Sequence, residues 1–91
     1  MKKVAVLGCT GSIGKQTLDV IRANPQEFQA IAICAGRDAE SVAAQAAEFK
    51  PEYIAMADDA AADKLKGMGV KGKILSGPEA SCMMASLEEA D

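Results

Sequence analysis

Apolar and polar positions in this chain alternate between two periods. Val4-Ala5-Val6-Leu7 is a short apolar run that reads as a strand, and Ile13 to Arg22 is amphipathic at helical spacing. Asn24-Pro25 breaks that helix. Phe28 to Ala35 is almost continuously apolar, as expected of a parallel strand covered on both faces. Asp38 can cap a second helix from Ala39 to about Phe49, with Val42, Ala46 and Phe49 on one face and Pro51 closing it. Tyr53 to Ala57 reads as a third strand. Asp58 and Asp59 can start a third helix through Leu65 that frays at Gly67 and Gly69. Lys73-Ile74-Leu75 is a short fourth strand, after which Ser76, Gly77 and Pro78 open a fourth helix from Glu79 to Leu87.

The order is βαβαβαβα, with no linker and no internal repeat. Strands and helices alternating at this spacing predict an α/β fold: a doubly wound, Rossmann-like parallel sheet with right-handed crossovers. Such a domain would normally continue into another strand after Glu88-Glu89-Ala90-Asp91, so the chain is expected to be a truncated, N-terminal piece of a longer protein.

Composition narrows the function. The 91 residues allow one small domain, and 49% hydrophobic content with only 3% aromatics predicts a core of small and aliphatic side chains. A net charge of −3 without a basic run argues against nucleic acid as a partner. No apolar run reaches membrane-spanning length, and Met-Lys-Lys leads into a strand rather than a signal-peptide core. No membrane partner and a cytoplasmic location are therefore expected. The absence of histidine removes the commonest general base. Cys9, Cys34 and Cys82 contain no CxxC pair, so neither a disulfide framework nor a zinc site is expected. Cys9 lies near a helix start, where thiolate character can rise, but a small turn residue is the simpler reading. Cys34 is expected in a buried strand and Cys82 inside a helix.

The chemistry concentrates at Gly8-Cys9-Thr10-Gly11-Ser12-Ile13-Gly14, a glycine-rich turn between the first strand and the first helix. A dinucleotide pyrophosphate needs a backbone it can approach, unpaired N–H donors and the positive end of a helix dipole. Gly8 permits a tight exit from the strand, Gly11 removes a Cβ from the phosphates, and Gly14 allows the helix to pack close on the sheet. The N–H groups around Ser12 and Ile13 would face phosphate oxygens, with the Thr10 and Ser12 hydroxyls as further donors. The spacing G-x-x-G-x-x-G alone also suits a purely structural turn; its strand–turn–helix setting favours a nucleotide. The second strand ends in Ala35-Gly36-Arg37-Asp38. Gly36 leaves room for a ribose and Arg37 can contact a 2′-phosphate, which favours NADPH over NADH, unless Arg37 is only a solvated charge. Asp38 would repel that phosphate; engagement as a helix cap partly offsets the repulsion.

Residues 7–14, Thr17 to Arg22 with Asn24-Pro25 and Phe28, Ala35-Gly36-Arg37, Phe49 to Tyr53 and Leu75-Ser76-Gly77 together resemble the opening of the 1-deoxy-D-xylulose 5-phosphate reductoisomerases. The resemblance extends over essentially the whole chain. It implies a protein that rearranges 1-deoxy-D-xylulose 5-phosphate and reduces it to 2-C-methyl-D-erythritol 4-phosphate, in the non-mevalonate route to isoprenoids. It implies NADPH and a divalent metal, Mg²⁺ or Mn²⁺, and a homodimer in the full-length enzyme. It carries Thr10, Gly11, Ser12 and Ile13 over to the pyrophosphate, and Gly36 and Arg37 to the adenosine 2′-phosphate. Asp38 stands where that family often has Asn, and Cys9 where a small residue such as Ser is usual. The family's metal carboxylates, substrate-phosphate site and active-site loop correspond to nothing in these residues. The expected unit is therefore an NADPH-binding domain over residues 1–91, with no catalytic residue, no metal ligand and no turnover of its own. Asp19 sits in a helix, Asp58 and Asp59 read as a helix start, and Glu88 and Glu89 as solvated surface. The turn also fits other NADP-dependent dehydrogenases, of semialdehyde or extended short-chain type, or a stand-alone nucleotide-binding module.

Overall fold

A computed structural model describes residues 2–77 of the chain. The elements are β1 (Lys2–Leu7), α1 (Ser12–Ala23), β2 (Phe28–Ala35), α2 (Ala39–Phe49), β3 (Tyr53–Met56), α3 (Asp59–Gly67) and β4 (Lys73–Ser76). The four strands form one parallel sheet in the order β1-β2-β3-β4. This is the alternating, Rossmann-like α/β arrangement that the sequence predicts. The fourth helix and Cys82 lie outside the described residues.

Period-2 alternation divides the central strands between two faces. Val6, Ala30, Ile33, Ala35, Ile54 and Met56 join Leu18 and Ile21 of α1, Val42 and Ala46 of α2 and Ala62 and Leu65 of α3 in a single buried cluster. All three helices therefore lie on one face of the sheet. On the opposite face Ile31, Ala32, Cys34 and Ala55 form a second buried cluster. This burial on both faces explains why β2 reads as an unbroken apolar run. The register shifts between Val4 and Ala5, which pair with Ala30 and Ala32 and leave Ile31 as the extra residue of a bulge.

Element ends follow local chemistry. α2 ends on Lys50 in the left-handed region (φ 51°), its N–H donating to the Ala46 carbonyl at 2.9 Å. Pro51 keeps the helix from continuing, because the residue before a proline is disfavoured in the right-handed helical region. α3 runs two residues past the expected Leu65, and the left-handed Gly69 (φ 73°) follows it. The Arg22 guanidinium joins α1 to α2: it pairs with Glu48 through both carboxylate oxygens and with Asp19, and lies 5.2 Å from the centre of the Phe49 ring. Those contacts raise the Arg22 pKa and hold the Glu48 carboxyl below its usual range, so the bridge stays charged in ordinary buffers.

Candidate functional site

Leu7 pairs with Cys34 at the carboxyl ends of β1 and β2, so the turns that leave these two strands emerge side by side. Parallel pairing thus brings the glycine-rich turn and Ala35-Gly36-Arg37-Asp38, distant in sequence, to the same sheet edge. Ligands of open α/β sheets characteristically bind at this edge.

The turn is fixed by its backbone. Gly8 has φ 66°, a left-handed conformation that residues with a Cβ seldom adopt. The Cys9 N–H donates to the Cys34 carbonyl at 2.8 Å, and the Gly11 N–H to the Gly8 carbonyl at 3.0 Å. α1 then passes so close to the turn that a Cβ on Gly14 would lie 2.1 Å from the Gly8 carbonyl oxygen and 2.7 Å from the Cys9 Cα. Gly11 differs. Its φ is −81°, and a Cβ there would meet only the Gly8 oxygen, at 3.4 Å. A Cβ on Gly36 would have nothing within 4 Å. The fold requires glycine at 8 and 14; at 11 and 36 it does not.

The helix starts also differ. Asp38 caps α2 by accepting from the Ser41 N–H at 3.1 Å and from the Ser41 hydroxyl at 2.8 Å. Asp58 caps α3 by accepting from the Ala61 N–H at 3.0 Å. α1 has Gly11 at its N-cap and so no side-chain cap, leaving the first-turn N–H groups without an intrahelical partner. Thr10 is half-buried beside them; Gly11, Ser12 and Ile13 are exposed, Ile13 to 79%. An exposed isoleucine at the mouth of an uncapped helix gives the site one apolar wall.

On the β2 side, Gly36, Arg37 and Asp38 are exposed. The Gly36 carbonyl accepts from the Asp58 N–H at 3.1 Å, which anchors the loop to the start of α3. The Ser41 hydroxyl and N–H hold the Asp38 carboxyl below its usual range, helped by the charges of Lys15 and Lys64. Asp38 therefore has the capping role expected of it, and its charge is shared with donors of its own helix.

Gln45 was not among the residues the sequence marked. Its Nε2 donates to the Cys9 carbonyl at 2.9 Å, from α2 to the glycine turn, while its Oε1 is buried without a partner among the described residues. The one signal available in the sequence is spacing, since Gln45 lies three residues after Val42 on the core-facing stripe of α2.

Cys9 occupies the turn as a fully buried small residue. Burial pushes its thiol up from an ordinary 9.0 to about 11, outweighing the hydrogen bonds to the Cys9 and Cys34 backbone. At pH 8 its thiolate fraction should be roughly a hundredfold below that of an unshifted thiol. Thiol labelling followed by mass spectrometry should leave the Cys9 peptide unmodified in the folded chain and modified in denaturant; rapid native labelling would contradict this burial. Below pH 9 the folded and unfolded thiols are both protonated. Between pH 9 and about 11 only the unfolded one loses its proton, so stability should fall as pH rises through that window.

Among the described residues no group of three or more His, Cys, Asp or Glu could hold a metal ion. Asp19 is paired with Arg22 and Asp58 is a helix cap. No helix of the described residues is long and apolar enough to cross a membrane.

Comparison with known proteins gives a consistent result. The family model described as 1-deoxy-D-xylulose 5-phosphate reductoisomerase matches residues 4–91. Over its full length the chain is 41% identical to the 1-deoxy-D-xylulose 5-phosphate reductoisomerase of Photorhabdus laumondii, and it spans 24% of that relative's length. Among solved structures it is similar to 1-deoxy-D-xylulose 5-phosphate reductoisomerase from Zymomonas mobilis in complex with NADPH, with a TM-score of 0.88 and 32% identity over 97% of this chain and 24% of that one. It is equally similar to a DOX-P reductoisomerase in complex with NADPH, fosmidomycin and magnesium, with a TM-score of 0.87 and 34% identity over 100% of this chain and 23% of that one.

Proposed function

The chain belongs to the 1-deoxy-D-xylulose 5-phosphate reductoisomerase family, and on that premise we propose that residues 1–91 are its NADPH-binding portion. One observation carries the reading: α1 starts uncapped beside Gly11, a glycine that the fold does not itself require. A diphosphate supplies the reason for both features. It accepts the unpaired N–H groups of Ser12 and Ile13, it gains from the helix dipole, and it needs the space that a Cβ at Gly11 would fill. The Thr10 and Ser12 hydroxyls add donors, Gly8 and Gly14 shape the turn, and Ile13 covers an apolar part of the ligand. Gly36 admits the adenosine ribose, and Arg37 pairs with its 2′-phosphate beside the capped Asp38.

When bound, NADPH supplies the hydride for reduction. These residues bind and orient it; among them none is proposed to be catalytic or to hold metal. The chain spans 24% of its relative, and the substrate site and the site for Mg²⁺ or Mn²⁺ are proposed to belong to the rest of the full-length protein. That protein would convert 1-deoxy-D-xylulose 5-phosphate to 2-C-methyl-D-erythritol 4-phosphate, in the cytoplasm and as a homodimer.

Calorimetric titration with NADPH, and with NADH as control, tests the reading. NADPH should bind saturably and in preference, without substrate-dependent oxidation by the chain alone. Gly11→Ala should keep the thermal midpoint yet weaken NADPH about tenfold or more, since its Cβ lengthens several charge-assisted hydrogen bonds at once. Equal affinity for both nucleotides, or no binding by a chain whose circular dichroism is that of a folded α/β protein, would overturn it.

A further inference from the structure

We propose that Gln45 is a positioning residue for the cofactor's diphosphate, holding the Cys9–Thr10 peptide so that the Thr10 N–H is left for the ligand. The proposal rests on the glycine turn being the NADPH site.

Cys9 is held from two directions. Its N–H donates to the Cys34 carbonyl of β2, and its carbonyl accepts from Gln45 of α2 at 2.9 Å. In a trans peptide the C=O and the following N–H point opposite ways. With the Cys9 oxygen committed to α2, the Thr10 N–H is directed away from that helix, and no protein partner takes it among the described residues. If this peptide rotated, a carbonyl oxygen would turn toward the positive start of α1, the seat proposed for the diphosphate. Two negative groups would then compete for the same donors.

The state of the other amide atom indicates what Gln45 contributes. Its Oε1 is buried without a hydrogen bond among the described residues, which costs stability. The assignment of the two amide atoms is fixed by the partner, since only the NH2 group can donate to a carbonyl. A half-satisfied amide is a poor way to fill a core position, whereas its donor orients a peptide that an apolar side chain would leave unheld. α2 also carries Asp38 at its start, next to Arg37, so one helix ties the diphosphate turn to the adenosine end of the site.

Gln45→Met keeps an unbranched side chain of similar length and removes the amide. In the full 91-residue chain its thermal midpoint should stay close to the parent's, because removal of the unpartnered oxygen offsets loss of the donor to the Cys9 carbonyl. Its Kd for NADPH should rise about five- to tenfold, the scale of one hydrogen bond misdirected in the site. Its Kd for adenosine 2′-monophosphate, which lacks the diphosphate, should be unchanged. Gln45→Glu, which sets a carboxylate against the Cys9 carbonyl, should give the same split with a larger loss. NADPH affinity within about twofold of the parent in Gln45→Met, or equal loss for both ligands at any midpoint, overturns the proposal. Failure of the parent chain to bind NADPH would instead bring down the reading of the site, and this proposal with it.

Discussion

Gly14→Ala should cost the chain a large share of its stability. The added methyl would lie 2.1 Å from the Gly8 carbonyl oxygen and 2.7 Å from both the Gly8 carbonyl carbon and the Cys9 Cα, all of them backbone. No side-chain rotation relieves such a contact. Either α1 retreats from the sheet or the turn opens, and each breaks something else. Retreat uncovers Leu18 and Ile21, buried by α1 against β1 and β2. Opening the turn strains the Cys9–Cys34 hydrogen bond at the end of the sheet. Overpacking of this kind costs about 3 kcal/mol or more, a large share of the ~5–14 kcal/mol available to a domain of this size. The thermal midpoint should fall by about 12–24 °C, with NADPH binding lost along with it. Thermal denaturation of Gly14→Ala beside Gly11→Ala provides the check. A midpoint for Gly14→Ala as high as that of Gly11→Ala would mean that the helix does not approach the turn as closely as described.

The three glycines of this turn mark how far the sequence could be read. Strand, turn and helix were legible because period-2 and period-3.6 patterns meet at Gly8, and β2 and α2 follow the apolar pattern over Phe28–Ala35 and Ala39–Phe49. Both aspartate caps were legible as well, since a carboxylate just before a helix has one obvious use. The separate roles of Gly14 in close packing and of Gly11 beside the phosphates could be expected from the turn. How tight the approach is, 2.1 Å from a Cβ on Gly14 to the Gly8 oxygen against 3.4 Å from one on Gly11, depends on the distance between α1 and the turn, which no local pattern encodes. The Ile31 bulge was hidden for a similar reason: in a uniformly apolar strand, an extra residue leaves no break in the alternation. Gln45 was passed over because a polar residue on a core stripe acquires meaning only when its partner, the Cys9 carbonyl, is known. The sequence carried the local chemistry; the pairings between distant segments came from packing.

Arg37→Ala should abolish the preference for NADPH. Arg37 is exposed next to Gly36, at the edge where β1 and β2 end side by side, and a guanidinium can meet a 2′-phosphate with two parallel hydrogen bonds. Bonds to charged groups contribute about 1.5–3 kcal/mol, so NADPH should weaken about 10- to 150-fold while NADH, which has a hydroxyl there, stays within about twofold. Arg37→Lys should restore only part of the loss, since an ammonium keeps the charge without the fork. Asp38→Asn separates this from simple charge balance. The amide oxygen can still accept from the Ser41 N–H, so α2 stays capped, but the carboxylate beside the phosphate is gone. NADPH binding should then tighten by a small factor, because Ser41 and the nearby lysines already hold that charge in part. The same engagement lowers the Asp38 pKa from its ordinary carboxylate value, so Asp38 stays ionised between pH 7 and 5, and any weakening of NADPH over that range should follow the 2′-phosphate, whose second pKa is about 6. That weakening should persist in Asp38→Asn and vanish in Arg37→Ala. Calorimetric titrations of the three variants with both nucleotides decide it: equal losses of NADPH and NADH in Arg37→Ala would mean that Arg37 supports the loop rather than reading the phosphate.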